Sequence, residues 1–85
     1  MNDFSRIGMN IKEYRQAAGM SQQELSEKVG FAHRSSINKI ERGDREIRVR
    51  TLFALSNVFK CEVTDLLQGV SGGINAKSSE VQQTG

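Results

Sequence analysis

The chain has no tryptophan and no proline, a single cysteine, a single histidine and five aromatic residues among 85. Each shortage excludes something. One thiol, Cys61, builds neither a disulfide framework nor a multi-cysteine zinc site, and it fits a reducing, cytoplasmic setting. No metal-ligand spacing is present, so no metal and no cofactor are expected. No apolar run approaches the roughly 18 residues of a membrane span. The opening MNDFSRIGMN lacks the basic-then-apolar layout of a secretory signal, so a soluble, intracellular protein is expected. The length allows one small domain with a thin core, in which a large catalytic cleft does not fit.

The net charge is only +2, but it is unevenly spread. Between Arg34 and Arg50 six basic residues (Arg34, Lys39, Arg42, Arg45, Arg48, Arg50) stand against Glu41, Asp44 and Glu46. Half of all lysines and arginines fall in that window. Such clustering suits a polyanion, yet charge alone fits a solvated face equally well.

Hydrophobic spacing supplies the second criterion. Phe4, Ile7, Ile11, Tyr14 and Ala18 recur at steps of three and four, the inward stripe of an amphipathic helix that Gly19 closes. In SQQE, Ser21 and Glu24 form a capping box that opens a second, short helix. Leu25 and Val29 give that helix an inward face, Ser26 allows a close neighbour, and Gly30 ends it. A third helix follows Phe31 and Ala32, with Ile37 and Ile40 inward, with Arg34, Ser35, Asn38, Lys39 and Arg42 away from that seam, and with Gly43 as its end. DREIRVR reads as a connection pinned inward by Ile47 and Val49. Leu52, Phe53, Leu55, Ser56, Val58 and Phe59 describe a densely apolar fourth helix at the centre of the core. A brief last helix fits VTDLL, with Thr64 as its N-cap. From Gly69 the residues turn to glycine, serine and glutamine, so residues 1–68 are expected to form the domain and 69–85 a flexible tail. The fold class is all-α.

Two short helices joined through a glycine, the second of them polar, form the pattern of a helix-turn-helix. IKEYRQAAGMSQQELSEKVG, SSINKIERG and TLFALSNVFKCEVTDLL, in that order, resemble the Xre family of bacterial and phage regulators, with the Cro and lambda-repressor-like fold. The resemblance implies a compact five-helix DNA-binding domain acting as a transcriptional repressor or autoregulator, usually a homodimer on a pseudo-palindromic operator in double-stranded DNA. One departure stands out: the step from Gly30 to Ile37 is one residue longer than the common spacing, so FAHRSS carries an apparent insertion in the turn.

In this class the N-terminal part of the second helix of the pair enters the major groove while the first crosses the backbone. With a recognition helix over about residues 34–42, Arg34, Ser35, Asn38 and Lys39 become the base-reading candidates. Arginine or lysine suits guanine O6 and N7, and an asparagine amide suits adenine N6 and N7. Phosphate contacts are expected from the helix ends: Gln22, to which the resemblance also assigns a DNA contact, then Gln23, His33, Arg42, Arg45 and Arg48. Arg50 reads equally well as the solvent-exposed start of the fourth helix, and His33 as an ordinary surface histidine. The resemblance pairs Arg15 with Glu41 as an internal salt bridge. Val58, Phe59, Val63, Leu66 and Leu67 either extend the core or form a dimer surface. Cys61 beside them reads as a small, partly buried apolar residue.

Rival classes remain. An enzyme would need convergent acids, bases or nucleophiles, and GVSGG lacks the lysine and following helix of a phosphate-binding loop. A protein-interaction module on the same fold, such as an antitoxin using the C-terminal patch or tail to hold a second protein, is compatible with DNA binding. So is a restriction-modification controller, and genomic neighbours would separate the two.

Overall fold

A computed structural model describes residues 3–70. The described residues form five helices and no strand: α1 (Asp3–Ala17), α2 (Gln22–Val29), α3 (Arg34–Arg42), α4 (Val49–Phe59) and α5 (Val63–Leu66). The long stripe of α1 turns Ile7 and Ile11 into the core with Phe4 and Tyr14 packed at its margin. Ala18, expected on that stripe, lies beyond the helix end and is exposed, because the chain has already turned toward Met20. Leu25 of α2, Ile37 and Ile40 of α3, Leu55 of α4 and Leu66 of α5 are all but inaccessible to solvent and complete the centre. Burying such branched aliphatic side chains is worth about 1.5–3 kcal/mol each.

Gly8 lets α1 and α3 approach. A Cβ there would collide with the Ile40 carbonyl oxygen and lie 2.7 Å from that of Glu41, so the two backbones touch where any side chain would hold them apart. The end of α5 and the turn after it are tied back by Asn10, a buried amide on α1 that donates to the carbonyl oxygens of Leu66 at 2.9 Å and Gln68 at 2.8 Å. Those bonds satisfy a polar group that burial would otherwise leave costly. Val70, which sequence composition assigned to the tail, is 6% exposed and belongs to the core; the tail expected from residue 71 onward lies outside the described residues.

Other expectations are corrected. Val49 does not pin the connection inward: it is the first residue of α4 and 65% exposed, and Phe53, one turn on, is 57% exposed. Ile47 takes the inward role. In so apolar a helix the period alone does not say which stripe faces the core, and the core selects Leu52, Leu55 and Ser56. The cap of α5 is Glu62 rather than Thr64. The Glu62 side chain accepts from the backbone of Asp65, whose Oδ2 accepts from the Glu62 N–H at 2.9 Å, so helix and cap shift by two residues.

Tyr14 of α1 stacks on Phe59 of α4 with ring centroids 5.5 Å apart, and Cys61 hydrogen-bonds Tyr14 in the same seam. Burial, reinforced by the Asp65 carboxylate, pushes the Cys61 thiol up. At a given pH the thiolate fraction is therefore smaller than that of an exposed thiol. Alkylation is expected to lag behind that of an exposed thiol at about pH 8 and to catch up only in more alkaline solution; equal rates at about pH 8 would contradict the assignment.

Overpacking costs about 1–3 kcal/mol, against at most about 1 kcal/mol of helix propensity regained by alanine. Gly8→Ala is accordingly expected to lower stability by about 2 kcal/mol in urea denaturation, and an unchanged midpoint would show that α1 and α3 do not need this contact.

Candidate nucleic-acid interface

The pairing of α2 with α3 is built from local signals. Ser21 Oγ accepts from the Glu24 N–H at 3.0 Å, while Glu24 Oε1 accepts from the Ser21 N–H at 2.8 Å, closing the capping box that starts α2. Gly30, at φ 85°, ends it in the left-handed region, and the Phe31 N–H returns to the Ser26 carbonyl at 2.8 Å. Phe31 packs against the core and anchors the link. Helix α3 then starts at Arg34 with His33 as its N-cap, so the long turn occupies residues 30–33.

Helix α3 has two sharply different sides. Ile37, Ile40 and Glu41 are buried. Arg34, Ser35, Lys39 and Arg42 are exposed and Asn38 is half-buried, the arrangement a 3.6-residue period gives to residues at steps of three and four. All four base-reading candidates thus share the outward half of one helix, which carries no carboxylate, since the single acid of α3 is turned inward. Lys39 and Arg42 also lie in its last turn, where cations complement the helix dipole.

The phosphate candidates are more scattered. Gln23 is exposed and donates to Glu27 Oε2 at 2.8 Å. His33 is exposed and contributes no side-chain cap bond. Arg42 is paired with Asp44 at 3.1 Å, both side chains largely in water, where such a pair is worth at most about 1 kcal/mol. Arg45 is exposed in the link to α4, and Arg48, also exposed, is the N-cap of α4. Gln22 is half-buried and turned to the protein: its Nε2 donates to Glu41 Oε1 at 3.1 Å and to Asn38 Oδ1 at 3.3 Å. Spacing does not reveal that engagement, because it joins residues 16 and 19 positions apart.

Beneath this surface, Arg15 Nε donates to Glu41 Oε2 at 2.6 Å and its Nη2 to Oε1 at 3.2 Å, while Nη1 donates to the Met20 carbonyl at 2.8 Å. The Arg15 side chain is 11% exposed and that of Glu41 3%. This bidentate pair joins α1 to α3 and reaches the link before α2. Of the apolar residues expected either to extend the core or to form a dimer surface, Leu66 is fully buried within the chain and has no surface left to share. Val58, Phe59, Val63 and Leu67 are half-buried at the edge of the core.

Comparison with known proteins places this geometry. The profile of the helix-turn-helix family matches residues 11–66, a span that runs from within α1 to the end of α5. The chain belongs to the helix-turn-helix family. It is a DNA-binding transcriptional regulator, as the family and its relatives are at this level of description. Control protein C.SmaI of Serratia marcescens is 34% identical over 61 residues, 72% of this chain and 71% of that one. An uncharacterized HTH-type transcriptional regulator of Archaeoglobus fulgidus is 36% identical over 56 residues, 66% of this chain and 79% of that one. Among solved structures, the restriction-modification controller protein C.AhdI from Aeromonas hydrophila superposes with a TM-score of 0.71 at 30% identity, covering 75% of this chain and 96% of its own. The clp gene regulator ClgR from C. glutamicum shares the fold, with a TM-score of 0.73 at 21% identity. No helix among the described residues is long and apolar enough to cross a membrane.

Removing one partner of the buried pair leaves the other charge uncompensated, so Glu41→Ala is expected to cost about 3–5 kcal/mol of stability. A double-mutant cycle with Arg15→Ala is expected to give coupling above about 1 kcal/mol; coupling near zero would make the two residues independent contributors.

Proposed function

We propose that this helix-turn-helix regulator is a non-catalytic repressor or autoregulator that binds a pseudo-palindromic operator as a homodimer in the cytoplasm. Helix α3 lies in the major groove, with Arg34, Ser35, Asn38 and Lys39 reading base edges. Arg42, Arg45, Arg48, His33 and Gln23, with the N-terminal turn of α2 around Gln22, track the flanking phosphates. The observation that carries this reading is the two-sided character of α3: an inward face that locks it to the domain and an outward face with cationic and amide side chains and no acid. The half-buried Val58, Phe59, Val63 and Leu67 supply the surface shared between two copies. Two half-sites multiply the specificity of a recognition helix that covers only a few base pairs.

A narrower role as a restriction-modification controller draws support from the names of two relatives, C.SmaI and C.AhdI, at 34% and 30% identity. A methyltransferase and endonuclease gene pair beside the coding sequence would favour it, and a toxin gene would favour an antitoxin instead.

The test is selection of genomic DNA fragments by the purified protein near physiological salt, with Arg34→Ala/Lys39→Ala as the comparison, its folding checked by circular dichroism. The wild type is expected to enrich a pseudo-palindromic site that the double variant binds only about as well as unrelated sequence. Arg48→Gln is expected to weaken binding on all sequences alike and to reduce the slope of log affinity against log salt by about one. Failure of the folded wild type to enrich any site would overturn the proposal.

A further inference from the structure

Helix α3 offers Asn38 to the groove, but not as a free amide. Glu41 Oε1 and Oε2 are held by the Arg15 guanidinium, and a carboxylate so held only accepts hydrogen bonds. The Gln22 atom facing it at 3.1 Å is therefore the donor, Nε2. The same Nε2 faces the Asn38 side chain at 3.3 Å, which requires the carbonyl oxygen Oδ1 of Asn38 on that side and leaves Nδ2 on the other. The chain of constraint runs from a guanidinium anchored on α1, through a carboxylate on α3 and an amide on α2, to the amide expected to read DNA.

We propose that Glu41 and Gln22 are positioning residues that set the orientation of Asn38, turning its Nδ2 donor into the groove so that guanine or thymine is favoured over adenine at its base pair. This rests on the DNA-binding reading above. An unconstrained asparagine pairs with adenine by accepting from N6–H2 and donating to N7 at once. The Gln22 bond occupies one of the two lone pairs of Oδ1 and turns that atom toward α2, so the amide leads into the groove with Nδ2–H2 rather than with both atoms in the plane of a base. Guanine offers two acceptors, N7 and O6, to that donor edge and thymine offers O4, whereas adenine offers only N7 and turns its N6–H2 toward the same donor. Both Nε2 hydrogens of Gln22 are likewise engaged, so its amide meets DNA through Oε1, which cannot donate to a phosphate. Any phosphate near the start of α2 is then held by backbone N–H groups.

The experiment is binding selection from a library of randomised half-sites, followed by sequencing, with wild type, Asn38→Ala, Gln22→Met and Gln22→Ala. The Asn38→Ala profile identifies the base pair in question as the one whose preference it erases. At that pair the wild type is expected to favour guanine or thymine over adenine by about tenfold. Gln22→Met keeps the length of the side chain and offers no donor; it frees Oδ1 and is expected to move the preference toward adenine by about tenfold, with the other positions unchanged. Gln22→Ala is expected to do the same, and it keeps the test decisive if methionine disturbs the α2–α3 seam. A merely structural role for Gln22 would lower affinity at every position equally, and that result would overturn the proposal. So would a wild type that already prefers adenine, or an Asn38→Ala profile identical to that of the wild type. Absence of any enriched site with folded wild type would instead overturn the DNA-binding reading, and this inference with it.

Discussion

The Glu41 carboxylate is the interaction on which the other features of the domain depend. It shares the buried side of α3 with Ile37 and Ile40, where an ionised group without partners would be intolerable. Its two oxygens instead receive three hydrogen bonds, two from Arg15 and one from Gln22. Those donors lie on α1 and α2, so three helices converge on one side chain. The remaining Arg15 nitrogen holds the Met20 carbonyl and so fixes the link that delivers α2. A hydrophobic replacement would pack the same volume, but it would not specify the rotation of α2 against α3 through directional bonds. The ionic solution supplies those directions, and with them the orientation in which the outer face of α3 is presented.

The same arrangement explains how a chain of net charge +2 presents a cationic helix. Of the three acids between residues 34 and 50, Glu41 is spent inside the protein, Asp44 lies against Arg42, and Glu46 is exposed in the link to α4, off helix α3. What remains on the outer side of α3 is Arg34 and Lys39 with serine and amide groups between them. Local potential, rather than the total, governs encounter with a polyanion. Close approach of α1 at Gly8 and the tie from Asn10 to Leu66 and Gln68 support this helix from behind.

Much of this was legible in the residue order. Capping by Ser21 and Glu24, the glycine stops, the inward stripe of α1 and the two faces of α3 follow from local spacing, and the structure has each of them. Helix α4 was harder, since nearly every position is apolar and periodicity cannot choose among stripes; Val49 and Phe53 went outward for that reason. The cap of α5 had two eligible residues within three positions, and only the reciprocal bonds between Glu62 and Asp65 decide between them. Leu66 and Val70 looked available to a partner or a tail because a short terminal helix has too few turns to show a face. Asn10 carried no signal at all, and Gln22 pointed to a phosphate contact, not to its bonds to Glu41 and Asn38. Each is a polar residue on a helix, and its role is set by a partner many positions away.

The separation of Arg15 from Glu41, 26 residues along the chain, has a consequence for the order of events during synthesis. Translation delivers α1 and α2 first, and for about 1–5 s, at roughly 5–20 residues per second, the Arg15 guanidinium lacks its native partner Glu41. In that interval Leu25 and Ile11 also lack the covering supplied by Ile37 and Ile40. The native junction of α1, α2 and α3 cannot form until residue 41 arrives. Helical domains with mostly short-range contacts then close in microseconds to milliseconds, far faster than the next residue is added. A chain terminated before that point is not a smaller regulator but an unclosed one, which cellular proteases can readily attack.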